Sequence, residues 1–314
     1  MILVLLIAIG IGVSYLKYYL EEKREEKVVQ YENDIQYVTN SLRLLKLLDD
    51  NDIDYDIGYK NKLTSYSEEI LKNSKYIYTS IEHVGNLYTL SLLTNNKKTD
   101  KIIDKMNSYY IEDYGLFNDY EVTSNNIKKI NIDKKIASNC SLLQECLDDS
   151  IDERFHISEG LAKWFNDKAT SDYTDEDKEN MDWIIRCLRQ RNKLDLIDIT
   201  PIKDDIEKEY ISEEKELEKT KNEDKDMYFY ALQSLMIKSE VLGIKNDYQE
   251  RLNETWKELS SWEEIDFDFN DNLAPLWLIL SLEDVTDVSA NVFFRENIKS
   301  ELKNSYRTVI EDGK

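Results

Sequence analysis

The sequence predicts an all-α protein: repeated α/α hairpins, toroid or solenoid-like, behind an N-terminal transmembrane helix. Three observations predict it. Apolar residues recur at three- and four-residue spacing along most of the chain, which stacks them on one face of a 3.6-residue helix. Two Pro and eight Gly in 314 residues leave long stretches without helix breakers. Residues 1–16, MILVLLIAIGIGVSYL, carry no charged side chain.

The apolar start, extended to Leu20 with Lys17 snorkelling, makes a helix about 30 Å long, enough to cross a bilayer. A cleaved signal peptide would call for a basic first segment and a small-x-small cleavage site, and neither is present. Residues 1–20 are therefore assigned to a single-pass anchor in the cell membrane, with the lipid bilayer as their partner. Lys17, Lys23, Arg24 and Lys27 follow the span and no basic residue precedes it, so the positive-inside rule puts the bulk of the chain in the cytoplasm.

Behind the anchor, Val28, Tyr31, Ile35, Val38, Leu42, Leu45 and Leu48 form a helical stripe. It is short and mixed in heptad register, so a packed helix fits it better than a coiled-coil stalk. The acidic run 49–58, DDNDIDYDIG, fails as an EF-hand loop. That loop needs Gly at its sixth position and Glu at its twelfth. Counting from Asp50 these are Tyr55 and Asn61; counting from Asp52 they are Ile57 and Leu63.

Residues 75–119 are the reference hairpin. Ile77, Ile81, Val84, Tyr88 and Leu92 stripe a first helix running from Lys75 to Thr94. Asn95 to Lys98 turn, and Thr99 is the expected N-cap of a second helix, its hydroxyl accepting from a free backbone N–H. Ile102, Ile103, Met106, Tyr109 and Tyr110 stripe that helix, which is expected to end at Tyr114-Gly115. Phe117-Asn118-Asp119 leads out.

Polar residues 120–135 read as a long connection. Ile136 to Leu147 read as a helix, with Cys140, Leu143 and Cys146 among its apolar positions. Ile157, Leu161 and Trp164 stripe the next, followed by a second Phe-Asn-Asp at Phe165, Asn166 and Asp167. An acidic helix start at 171–182 leads to a face of Trp183, Ile184, Cys187 and Leu188. Pro201 interrupts, since it lacks the donor a helix interior needs. Residues 203–226 read as a charged helix with intrahelical pairs such as those among Glu214, Glu216, Lys219 and Lys221.

A second hairpin follows. Tyr228, Leu232, Leu235, Met236 and Leu242 lead to a stop at Gly243, and Tyr248, Leu252, Trp256 and Leu259 return. Phe267 to Asp271 is its exit, with the third Phe-Asn-Asp at Phe269. With only eight Phe in the chain, composition alone predicts well under one such triplet, so the three mark turns of degenerate repeats. A short buried helix over 276–282 and an amphipathic one over 287–310 complete the chain. The domains are thus the anchor at 1–20, an N-terminal helical-repeat half at 21–202, a charged connecting helix at 203–226, and a C-terminal half at 227–314.

A Tyr- and Leu-rich helix, a polar turn, a second helix and an aromatic exit near glycine, from Tyr76 to Phe117, resemble the α/α-toroid repeats of prenyltransferase and squalene-cyclase-like proteins. Glu112-Asp113-Tyr114-Gly115-Leu116-Phe117 is the nearest approach to the repeat ending of that family. The resemblance implies a toroid of helical hairpins and carries over no catalytic position.

Candidate chemistry is sparse. Asp148-Asp149-Ser150-Ile151-Asp152 matches the DDxxD pattern that holds Mg²⁺ in class I prenyl-diphosphate enzymes, and carboxylates at i and i+4 share a helix face. The run falls where a helix should end, and no second metal motif accompanies it. His83 beside Glu82 is not a preassembled acid–base pair, because adjacent helical residues do not face each other. His156, near Asp152 and Arg154, reads as structural on the same ground. Three Cys at 140, 146 and 187 form no disulfide framework, and two His give no usual zinc site. The net charge of −23 opposes nucleic acid. No catalytic residue, cofactor or metal is assigned. The expected function is a membrane-anchored, non-catalytic helical-repeat protein that binds a protein or peptide partner. Its rival is a toroid-type enzyme acting on a terpenoid or glycan.

Overall fold

The computed structural model describes residues 57–72, 80–145, 149–223 and 225–259, with isolated helical positions between 35 and 49. The anchor at 1–20, the acidic run from 50 to 56, and everything beyond Leu259 lie outside the described residues. So does the start of the first hairpin helix at 75–79. Among the described residues, no helix is long and apolar enough to cross a membrane.

The described chain is mostly helical, as the spacing predicts. The helices are α1 (Ile57–Lys72), α2 (Ile81–Leu93), α3 (Thr99–Met106), α4 (Ile136–Glu145), α5 (Ser150–Phe155), α6 (Ile157–Ala169), α7 (Asp175–Gln190), α8 (Lys203–Glu223), α9 (Lys225–Leu242) and α10 (Tyr248–Leu259). A two-stranded antiparallel ribbon, β1 (Tyr110–Ile111) and β2 (Leu116–Phe117), interrupts them, with Tyr110 opposite Phe117 and Ile111 opposite Leu116.

Helix α2 is central, and residues on nearly all its faces are buried, from Ile81 and Val84 to Tyr88 and Leu90. Ser80 caps it by accepting from the His83 backbone N–H at 3.3 Å. The Ile81 N–H reaches the Asp119 carbonyl at 3.0 Å, tying the ribbon's exit to the head of α2. Ile35, Val38, Leu42 and Leu45 are buried in the same core, as a packed helix requires.

Helix α3 starts at Thr99, but Thr99 is not its cap. Its hydroxyl turns back to the Asn96 carbonyl at 2.8 Å and pairs with Ser91 at 2.9 Å. The helix also stops earlier than its stripe. A 3-10 turn over Asn107–Tyr109 unwinds it, and Tyr110 lies in β1. The reason is aromatic packing. The Tyr110 ring stacks within 5.3 Å of Phe117 and 5.2 Å of Phe155, and its hydroxyl donates to the Phe155 carbonyl at 2.7 Å. A continuing helix would break that cluster.

Gly115 therefore closes a ribbon turn rather than a helix. Its φ is +68°, and its N–H donates to the Ile111 carbonyl at 3.0 Å. Helix α6 comes down on this turn at Gly160. A Cβ there would stand 2.4 Å from the Gly115 oxygen and 2.7 Å from the Tyr114 oxygen. The outer side of β2 is filled by Asn139 of α4. Its Oδ1 accepts from the Phe117 N–H at 2.8 Å and its Nδ2 donates to the Phe117 carbonyl at 2.9 Å.

The Phe165-Asn166-Asp167 triplet lies inside α6 and marks no turn. Phe165 is core, while Asn166 pins a distant loop, donating to the Leu196 carbonyl at 3.1 Å and accepting from the Asp198 N–H at 2.7 Å. Helix α7 opens with a reciprocal capping box between Thr174 and Asp177. Pro201 sits in a 3-10 turn, and α8 starts just after it.

The last three helices run antiparallel in succession. Glu213 of α8 meets Ser234 and Lys238 of α9, and Glu209 meets Lys238, so sequence rises on one helix as it falls on the other. The charged α8 also feeds the core, with Ile206, Tyr210 and Leu217 buried. Gly243, at φ +70°, ends α9 as expected. The return helix is locked by a Tyr210–Tyr248 hydroxyl contact of 3.0 Å and by Arg251, which donates to Tyr228 at 2.7 Å and to Glu218 at 2.7 Å.

Candidate functional site

The acidic motif at 148–152 is not assembled as a metal site. Asp148 lies outside the described residues. Asp149 is exposed and pairs with Arg191 at 2.8 Å. Asp152 points the other way, into the core. There it accepts from the Ser158 N–H at 2.7 Å, from the Ser158 hydroxyl, and from Lys193 at 2.8 Å. It thus serves as a remote cap for the start of α6. Burial alone would raise its carboxyl, but the hydrogen bonds from Lys193 and Ser158 outweigh it and hold the group below its ordinary value. Among the described residues, no group of three or more His, Cys, Asp or Glu side chains is placed to hold a metal ion.

The histidines serve the backbone. The His83 Nδ1 lies 2.8 Å from the hydroxyl of the capping Ser80. His156 takes a left-handed φ of 54° at the junction of α5 and α6, and its ring faces solvent. Cys187 meets another of the three cysteines. It abuts Cys140 across the α4–α7 contact, its Sγ 3.8 Å from the Cys140 carbonyl. Both are buried free thiols, and burial, then the hydrogen bond with Cys187, pushes the Cys140 thiol up. Cys146 lies outside the described residues.

The feature with the shape of a binding site lies between α7, α8 and α9. A pocket of about 170 Å³ opens there. Its floor is apolar: Ile185 from α7, Ile206 from α8, and Ile237 and Val241 from α9. Its polar lining is Asp182 and Arg186 from α7 and Ser234 and Lys238 from α9, with the buried Gln233 below them and the exposed Tyr230 at the edge. A second, smaller pocket of about 20 Å³ shares Asp182, Ile185 and Ile206 with it and is lined also by Tyr173 and Lys178 on one side and Asp205 and Glu209 of α8 on the other. The Tyr173 hydroxyl donates to Asp205, which with burial pushes its pKa up to about 12.

The charges of this rim are unevenly satisfied. Lys238 binds Glu213 and lies 3.5 Å from Glu209. Burial alone would lower its ammonium, but Glu213, Asp182 and Glu209 together raise it. Ser234 donates to Glu213 at 2.9 Å, and Lys178 stands 3.8 Å from Glu209. Asp182 makes no hydrogen bond and no ion pair within 4 Å among the described residues. Desolvation by the surrounding helices pushes its carboxyl up to about 6; Lys238 opposes this, Glu209 and Glu213 add to it, and Lys178 opposes it. Its side chain still meets water at the pocket mouth.

Sequence reading passed over this site. It followed one stripe of α9, through Tyr228, Leu232 and Leu235. A second stripe runs beside it, Tyr230, Ser234, Ile237 and Val241, at the same helical spacing but with mixed polarity. Comparison of the chain with protein-family models, with curated proteins and with solved structures finds no match in any of the three.

Proposed function

We propose that this protein is a membrane-tethered helical-repeat protein that binds a protein or peptide partner in the groove between α7, α8 and α9. The observation that carries the reading is the pocket. At about 170 Å³ it falls below the roughly 300–1,000 Å³ typical of small-molecule and cofactor sites. An apolar floor inside a polar rim is the form of a pocket that takes one anchoring side chain of a partner. The hairpins α2–α3 and α9–α10 support the repeat reading, since stacked hairpins present extended surfaces to partners.

Site-specific crosslinking tests the docking. A photoreactive benzoylphenylalanine at position 230 is expected to give a discrete protein adduct in cells. The same group at position 120, exposed but outside the groove, should not. Val241→Trp, which fills the pocket, should abolish the adduct. Adducts that are equal at both positions, or that survive Val241→Trp, overturn the reading.

The tether rests on the charge-free residues 1–16, extended to Leu20 with Lys17 snorkelling, and its orientation on Lys17, Lys23, Arg24 and Lys27. A reporter active only in the cytoplasm, fused after Lys314, is expected to give signal. Signal only from a reporter active outside the cell would reverse the orientation. A mature protein lacking its N-terminus and free of membrane would remove the tether.

A further inference from the structure

We propose that Cys140 and Cys187 are a reversible redox pair, which a small peroxide closes into a disulfide that staples α4 to α7.

Helix register brings the two residues together. Bonds between α4 and α7 climb both helices in step, so the two run parallel. Asn180 donates to the Asp133 carbonyl at 3.0 Å just ahead of α4, Cys187 meets Cys140, and Arg191 donates to the Leu143 carbonyl. At the far end the Gln144 amide reaches the Gln190 side-chain oxygen at 3.0 Å. Each of these contacts spans 46 to 48 residues of sequence, so neither helix can slide along the other without breaking all four.

The cysteines sit between these anchors. The Cys187 Sγ lies 3.8 Å from the Cys140 carbonyl, and the two thiols hydrogen-bond to each other. A disulfide needs two sulfurs that face one another across closely packed backbones. A thiol–thiol hydrogen bond between helices held in register has that arrangement.

Burial decides which oxidant acts. Cys140 is 0% exposed and Cys187 1%, and Ile136, Leu143 and Ile184, one turn away, are buried with them. Glutathione disulfide is large and charged and is shut out. Hydrogen peroxide is small and neutral. One thiol sulfur takes an oxygen from it, giving a sulfenic acid and one water. The second thiol attacks that sulfur, the S–S bond forms, and the sulfenic oxygen leaves with the thiol proton as a second water. The two cysteines together lose two hydrogens and two electrons, and the peroxide is reduced to water. Burial pushes the Cys140 thiol up, so little thiolate is present and closure is slow. A dithiol reductant reverses it by exchange. In the cytoplasmic setting proposed above, the reduced pair is the resting form. Because α7 also carries Asp182, Ile185 and Arg186 of the groove, the staple fixes one groove wall to α4.

The test uses the full chain in detergent micelles, reduced, freed of reductant, and exposed to hydrogen peroxide or to glutathione disulfide. Peroxide is expected to remove two hydrogen atoms per chain by intact mass. Proteolysis without reductant should then join the Cys140 peptide to the Cys187 peptide, and dithiothreitol should restore the parent mass. The closed form should unfold about 5 °C or more above the reduced form. Cys187→Ala should lose both the link and that shift, and its reduced-state melting checks that it folds. Glutathione disulfide should leave the native chain unlinked.

No link with peroxide overturns the proposal. So does a link through Cys146, a sulfinic or sulfonic acid at Cys140 in place of the link, or a link that forms only after denaturation. A closed form no more stable than the reduced one, or closure by glutathione disulfide as fast as by peroxide, also overturns it.

Discussion

Gly160→Ala is expected to destabilise the folded chain by about 3 kcal/mol, the upper end of what overpacking usually costs. The added methyl would stand 2.4 Å from the Gly115 oxygen, 2.7 Å from the Tyr114 oxygen and 2.8 Å from the Gly115 carbonyl carbon. All three are backbone atoms of the ribbon turn, so no side-chain rotamer can relieve the contact. Helix α6 or the ribbon turn must move away to make room. Denaturant midpoints at constant slope measure the loss. A cost below about 0.5 kcal/mol, the scale of an ordinary surface change, would mean that α6 and the turn are not in contact.

Asp152→Ala is expected to cost about 3 kcal/mol as well. It removes a charge-assisted bond to Lys193, typically about 1.5–3 kcal/mol, and the cap on the Ser158 N–H, about 1 kcal/mol. Lys193 keeps some access to water, so it is not left as a fully buried charge. Asp152→Asn should cost less, because an amide oxygen can still accept from Ser158. The pH dependence has a definite sign. The folded-state carboxyl lies below its ordinary value, so its stabilisation is present above the unfolded value of about 3.9 and is lost as pH falls through the folded one. Asp152→Ala should therefore unfold with less acid sensitivity than the parent. Asp167→Ala, an exposed carboxylate on α6, is the comparison. Equal losses at the two positions would remove Asp152 from its capping role.

Helices were legible along α2, α7 and α9, where the stripe that was followed faces the core, whereas α1, with Leu63, Ile70 and Leu71 buried, was passed over. The turn at Gly243 and the face through Ile184, Cys187 and Leu188 could be read directly, because helical spacing is a local property. The ribbon could not. Two residues per strand are too few to show alternation, and Tyr110 continues the spacing of α3 while its ring belongs with Phe155, which lies far along the chain. The Asn166 triplet misled for a related reason. Asn suits turns in general, but here its amide stays on a helix and serves the loop at 196–198. The approach of Cys187 to Cys140 could not be read either, because it is set by the register of two helices rather than by sequence distance.

The docking pocket was the least legible part. Its distinguishing property is that Asp182 lacks a close partner while the lysines beside it have theirs. A chain with 64 acidic and 41 basic residues offers every carboxylate many candidate partners on paper, and only interatomic distances separate the paired from the unpaired.

Asn139 gives the short ribbon a property that its length would otherwise deny it. The backbone donor and acceptor of Phe117 that turn away from β1 are the groups through which a bare strand recruits another chain. The Asn139 amide occupies both, acting as a third strand one side chain wide. An extended segment of a second molecule finds no ladder to join at Phe117. One buried amide thus closes the β2 side of the ribbon at Phe117, as a pairing strand would in a larger sheet.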